Sequence, residues 1–455
     1  MSAIRNLLPE PDMTPDTTTL SHPLRIPLAA ELHSRPFIEL KTPEVLTHIA
    51  VCDSSSVSDV ASNLQRQHHL LQALCHYFGV TPPVTDAKYF YHAFPAFRLK
   101  WECHTEFASY TFVTGASETA YVAGEDAFRA TVLQHLPQTW LHSLQSKVLA
   151  ASHLSLMPQA EQYEYSSDTA ALGAGRMLAG SVVLDRGTFL TDFAVHPDGF
   201  TRFILRDRAF IAQQAGRMVQ RVLEIDTYRM MALLGLPLAQ QSGPALNQME
   251  NELTTLVASM PALDQSQVQN TELEQQILHQ LTALASRAEK LAVDNSYRFA
   301  ASRAYFQLVK ARIAELRESR IDGLPTIAEF MERRLAPAMH TCESIVRRQE
   351  ALAARIAQTN DLLRTRVGIV QEQQNRQILQ SMNARAAQQL RLQQAVEGLS
   401  VAAITYYAVG LISYVAKGLK AAGLPLNTDL LTGIALPVTG FLVWRGIQKL
   451  HQKLH

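Results

Sequence analysis

Three polar residues at alternate positions, Glu102, His104 and Glu106, carry the clearest suggestion of chemistry in this chain. On a strand, side chains two apart share a face, so the run FRLKWECHTEFASYTFV (97–113) would set two carboxylates beside an imidazole. Such a cluster can hold a metal ion or move a proton. The plainer arrangement is a solvated strand face with Trp101, Cys103 and Phe107 turned inward. A second polar group, Glu31, His33 and Arg35, lies in HPLRIPLAAELHSRPF (22–37). If that segment folds against the first, Arg35 pairs with Glu102 or Glu106 and serves structure alone. No zinc-protease His pair, serine elbow or Walker element occurs. Gly173, Gly175 and Gly180 precede strand-like rather than helical sequence, so they make a poor phosphate loop. His68 and His69 sit on an otherwise polar helix and read as surface. The sequence therefore predicts no catalytic activity, no cofactor and no resident metal.

The elements that must position these residues form an α+β domain over about residues 21–208, after a disordered tail at 1–20 rich in Pro, Thr and Asp. A short amphipathic helix runs through Leu24, Leu28 and Leu32. Val45–Cys52 alternates like a strand, and Ser54–Ser58 offer caps for a helix reaching Phe78, where Gly79 ends it. Residues 97–113 make one long or two paired strands. A helical patch surrounds Trp140 and Leu144. Strands follow at 148–156, 178–184, 189–195 and 200–205, the last two joined by a hairpin at Asp198-Gly199. The cysteines, Cys52, Cys75, Cys103 and Cys342, lack any CxxC spacing, which signals neither a zinc site nor a disulfide framework and suits a reducing compartment.

From Arg208 the texture becomes helical, and a long-helix bundle is expected over 209–397. Ile211, Met218, Val222, Ile225 and Met230 fall near one helix face. Breaks are expected at Gly243-Pro244, at Met260-Pro261, at Asp322–Pro325 and near Pro337. Ile345, Leu352, Ile356, Leu363 and Val370 repeat at heptad spacing, a partial coiled-coil pattern that turns polar afterwards.

Leu399–Ala416 is an unbroken run without a charge, about 27 Å long as a helix against the ~30 Å hydrocarbon thickness of a bilayer. A second apolar stretch follows, and the two predict a transmembrane helical hairpin over 398–445 with spans near 399–416 and 426–444, then a basic tail at 446–455. Small and polar residues fall on one side of each span: Ala402, Tyr406, Gly410 and Ser413, then Gly433, Pro437 and Gly440. Apolar bulk drives no pairing in lipid, so these residues are the expected seam between helices or protomers. Pro437 is expected to kink the second span. Basic residues flank the hairpin more than they fill its loop, and the N-terminus lacks a signal-peptide core. Both ends are therefore expected in the cytoplasm, with the protein held at the inner membrane. The formal charge of zero hides an asymmetry: residues 1–296 carry a net −10, 297–397 a net +6, and the remainder +4. Anionic lipid or the chain's own acidic domain would each balance the basic part. The basic residues are interleaved with Glu and lack stacking aromatics, which argues against nucleic acid.

Several passages together resemble a bacterial family of uncharacterised membrane-anchored proteins, a domain of unknown function. They are HPLRIPLAAELHSRPF, FRLKWECHTEFASYTF, GRMVQRVLEIDTYRMMALLGLP, SRAYFQLVKARIAELRESRIDGLPTIAEFMERRLAPAM and QLRLQQAVEGLSVAAITYY. The resemblance spans nearly the whole chain beyond residue 20. It implies the anchored architecture and brings no activity or site residues. The domain order also looks like that of CorA-type metal-ion channels, which carry a Gly-Met-Asn signature after the first span. Here Tyr414-Val415-Ala416-Lys417-Gly418 stands instead, which argues against conduction. The expected function is a cytoplasm-facing interaction or scaffold protein, bound to the lipid bilayer, a homo-oligomer, with an unidentified cytoplasmic protein partner. A CorA-like channel or transporter subunit is the alternative.

Overall fold

The computed structural model describes residues 22–32, 36–52, 60–116, 128, 131–173, 177–260, 270–422 and 427–454. The expected tail at 1–20 and the break at Pro261 lie outside them. The β-branched and aromatic runs make strands β1 (Glu44–Cys52), β2 (Tyr89–Ala93), β3 (Arg98–Cys103), β4 (Phe107–Gly115), β5 (Val148–Pro158), β6 (Ala179–Val183), β7 (Gly187–Val195), β8 (Thr201–Asp207) and β9 (Glu318–Arg320). These strands form one sheet in the order β2-β3-β4-β1-β5-β8-β7-β6-β9. The β5–β8 pair is parallel, with Leu154 opposite Phe203, whereas the other neighbours run antiparallel. Two antiparallel halves thus meet at one parallel seam. Between β7 and β8 the chain turns at Asp198-Gly199. Gly199 takes a φ of +87°, which costs glycine little, and the Phe200 amide donates to Asp198 Oδ1 at 3.0 Å.

Helices cover both faces of the β2–β5 half. On one side lies α2 (Val60–Tyr77), following the short α1 (Arg25–Leu32) in the chain. Leu71 and Leu74 of α2 join a core of Trp101, Tyr110, Phe112 and Trp140. Trp140 stands on α3 (Gln138–Ser143), and its indole donates to the Leu70 carbonyl at 2.9 Å. His68 is buried on the inner side of α2, its ring edge-on to Trp101 at 5.0 Å, while His69 is exposed. The surface reading of His68 was wrong because the polar face of α2 is itself partly covered. Beyond α4 (Ser166–Leu172), the opposite sheet face receives α5 (Ala212–Leu233), whose Met218, Val222 and Ile225 are buried, with Ile211 exposed at its cap. A Cβ on Gly216 would lie 1.8 Å from the Ile38 carbonyl oxygen, so α5 approaches segment 36–40 as only glycine allows. The Leu40 amide closes that contact on the Ala212 carbonyl at 3.1 Å.

The remaining helices are α6 (Gly235–Ala258), α7 (Asn270–Leu316), α8 (Ile327–Arg334), α9 (Ala336–Ala421) and α10 (Thr428–Leu454). The break expected at Gly243-Pro244 does not occur, and α6 runs through Pro244. Proline inside a helix costs ~3 kcal/mol, but burial of Ala239 and Leu246 and a 2.8 Å hydrogen bond from Asn295 to Ser242 oppose that cost. The break at 322–325 is real, and α8 restarts with a capping box made by Thr326 and Glu329. Pro337 sits in the first turn of α9, where its missing amide has no partner to lose.

The described chain divides into two compact units. One holds residues up to Thr254 with Leu284–Arg355, and the other holds Thr255–Ala283 with Ile356–His455. In the second, Glu274 pairs with Arg366 at 3.2 Å, and Ile277, Leu281, Ile356 and Leu363 are buried. Every residue from Gln371 to Val396 is exposed. Two helical stretches, Ile327–Ala421 and Thr428–Lys449, contain windows apolar enough and long enough to cross a membrane.

Candidate functional site

The β1, β3 and β4 strands align their inward side chains in rows across the sheet. His48 lies opposite Thr111, and Thr111 opposite Lys100 on the next strand. The neighbouring row sets Ser109 opposite Glu102. Helix α5 lays Gln220, Glu224 and Thr227 over these rows, leaving a cavity of about 40 Å³. That space admits about three waters.

Several of the polar groups there hold one another. His48 Nδ1 lies 2.9 Å from Thr111 Oγ1, and Nε2 lies 3.1 Å from Thr227 Oγ1. A neutral imidazole donates through one nitrogen and accepts through the other, which serves both hydroxyls. Burial is the main cause that pushes His48 down to about 3, with Lys100 and His104 adding to it. Lys100 is 4% exposed; its ammonium pairs with Glu102 at 3.0 Å and donates to Gln220 Oε1 at 3.1 Å. Gln220 donates on to Glu224 at 2.8 Å, and the other Glu224 oxygen accepts from Arg312 of α7. A continuous polar chain therefore crosses from the sheet through α5 to α7. It can orient a small molecule or ordered water, and its imidazole stays uncharged at neutral pH.

The expected polar cluster is divided by the β3–β4 turn, which includes His104, Thr105 and Glu106. Glu102 and His104 both line the cavity. His104 stacks on Phe107 at 4.4 Å, and Phe107 is buried on the cavity side rather than among the Trp101 core. Glu106 instead receives both terminal nitrogens of Arg298, at 2.8 and 3.3 Å, and burial raises the Tyr305 phenol with the Glu106 charge adding to it. The side chain of Glu31 and the whole of His33 and Arg35 lie outside the described residues. His48, Lys100, Gln220 and Glu224 went unread, although Lys100 and Glu102 two apart on a strand already signalled a shared face. No group of three His, Cys, Asp or Glu side chains able to hold a metal occurs among the described residues.

Two other buried polar groups lie in the β5–β8 region. Arg206 of β8 grips Asp168 with two nitrogens, and Tyr163 donates to the same carboxylate at 2.5 Å. His153 of β5 bonds Thr47 Oγ1 at 2.9 Å and stacks on Phe200 at 4.0 Å; burial pushes it down to about 4.

In α9 and α10, a Cβ on Gly440 would sit 3.6 Å from Thr405 Cγ2, which places the contact between these helices. Val401, Thr405, Ala408 and Ile412 are partly covered and Ala416 is buried. Gly410, Ser413 and Gly440 are partly covered as well, whereas Ala402, Tyr406, Gly433 and Pro437 are exposed. The covered row thus begins one residue before the expected one. It includes bulkier β-branched residues that a search for small side chains passes over.

A mixed-sheet body carrying a buried polar row, followed by long helices and two apolar ones, defines the class of protein to which this chain belongs. The chain is a member of the family described as Protein of unknown function (DUF3422), which it matches over residues 20–454. No curated protein matches it. Among solved structures, it is similar to one titled "structure of the full-length CmaX protein", at 12% identity over 66% of this chain and 89% of that one. The TM-score is 0.17, well below that of a shared fold.

Proposed function

We propose that this chain is a membrane-anchored scaffold that associates with copies of itself and holds its mixed-sheet body at the cytoplasmic face. The observation that carries this reading is the exposure of α9 from Gln371 to Val396. At 1.5 Å per residue this is roughly 40 Å of helix without cover, although lone helices in water are only marginally stable. Its apolar residues are spaced for a partner helix. Ile378, Met382, Leu392, Val396 and Leu399 follow alternate steps of four and three once Arg385 and Gln389 are counted between them. A second copy presents the same stripe, and a two-stranded coiled coil leading into the apolar spans covers both. Arg376, Arg385 and Arg391 before the spans and Arg445, Lys449 and Lys453 after them, against Lys417 and Lys420 between, favour both ends in the cytoplasm. The body above the bilayer is then free to meet a cytoplasmic protein.

Light scattering of the detergent-extracted full chain tests the association. At least two copies per particle are expected, and Met382→Glu with Val396→Glu should reduce them. A strict monomer of the unaltered chain would overturn the reading.

A further inference from the structure

The outer edge of the sheet carries a second and larger opening. Strand β2 is the edge strand, and its Tyr89 and Tyr91 lie opposite Glu102 and Lys100, so they continue the polar rows out to solvent. Between them and segment 37–44 lies a cleft of about 520 Å³. That is within the usual range of small-molecule pockets. Phe37 supplies a third aromatic wall, with the Arg217 guanidinium 5.2 Å above its ring.

The charges at this cleft are unevenly committed. Both oxygens of Glu44 are occupied, one by Arg98 and the other by the Lys41 amide at 3.0 Å. Glu39 accepts from Gln213 at 3.2 Å, and its carbonyl accepts from Arg98 at 2.8 Å. The Lys41 ammonium makes no hydrogen bond among the described residues and is exposed at the cleft. Among the lining residues Lys41 and Arg98 balance Glu39 and Glu44, and because Arg98 is paired with Glu44, Lys41 is the cation left to meet a ligand.

From this geometry we infer that the cleft between β2 and segment 37–44 binds a flat aromatic molecule bearing one carboxylate. The ring lies against Tyr89, Tyr91 and Phe37, and the carboxylate meets Lys41. Aromatic rings fill such a cleft with little loss of their own freedom, and a charge-assisted hydrogen bond to an ammonium fixes orientation. The assignment is independent of membrane anchoring and of self-association.

Naphthoate, whose own fluorescence reports binding, is the probe, with naphthamide as its uncharged counterpart. Titration of the full chain in detergent should show saturable naphthoate binding at one site per chain. Naphthamide should bind about tenfold more weakly, the value of one charge-assisted contact. Lys41→Gln should lower naphthoate affinity by a similar factor without changing naphthamide. Tyr91→Ala should weaken both probes. Both side chains are exposed, so the melting temperatures of these variants should match the parent. Absence of saturable naphthoate binding, equal affinity for the two probes, or affinity unchanged by both substitutions would each overturn the assignment.

Discussion

His48 and His153 are held neutral inside the sheet body, and this ties stability to pH. Burial pushes them down to about 3 and about 4. An unfolded chain takes up these protons near 6.5, whereas the folded one resists until far lower pH. Stability is therefore fully present above about pH 6.5 and is lost as pH falls through the window down to about 4. Each histidine contributes a loss of about 1.4 kcal/mol per pH unit there. Urea unfolding at pH 5.5 and 4.5 should show the combined difference, and His48→Gln, which still bonds both threonines, should remove about half of it. The Lys100–Glu102 pair gives a second expectation. Glu102→Ala leaves a buried ammonium without its carboxylate and should cost about 3 kcal/mol. Adding Lys100→Met should recover most of that loss, measured as a non-additive double-mutant cycle.

The elements differ in how far their sequence foretold them. Helix α5 was legible because Met218, Val222 and Ile225 repeat at a helical period and its buried side follows that repeat. The β7–β8 hairpin was legible because Asp198-Gly199 has the chemistry of a tight turn. Strand β2 and the three-residue β9 were missed: short edge strands have too few residues for alternation to stand out. The lateral row of His48, Thr111 and Lys100 depends on register between strands far apart in sequence, which no local pattern contains. The close approach of α5 to segment 36–40 was equally hidden, because nothing near Gly216 announces its contact with Ile38. Gly216→Ala should force that helix outward and destabilise the body by about 1–3 kcal/mol in thermal or urea unfolding. In the apolar pair, Gly440→Ala should be tolerated, since its Cβ meets Thr405 at an ordinary distance. Gly440→Leu should part the helices, read as lost cross-linking between cysteines placed at Val401 and Val443.

At the scale of the whole molecule, acidic and basic residues are sorted along the chain. The first 296 residues carry a net −10, and residues 297–397 carry a net +6 before the two apolar stretches begin. Several of those basic residues are paired within the chain, Arg298 with Glu106 and Arg348 with Glu250 among them. An anionic bilayer would attract the unpaired remainder, a basic collar in which each favourably placed Lys or Arg contributes about 1 kcal/mol. On the proposed anchored reading, this sorting favours a body held away from the lipid. The proposed anchoring then has two separable parts, an apolar one that salt leaves intact and an electrostatic one that salt weakens. The full chain should stay with membrane vesicles through both high salt and an alkaline carbonate wash. A chain ended after Glu397 keeps the collar and lacks both apolar helices. It should associate with anionic vesicles at low ionic strength, come off in high salt, and be absent from neutral vesicles under either condition. Release of the full chain by carbonate would show that the apolar helices do not lie in the bilayer. Salt-independent retention of the shortened chain would instead place the anchor within the body.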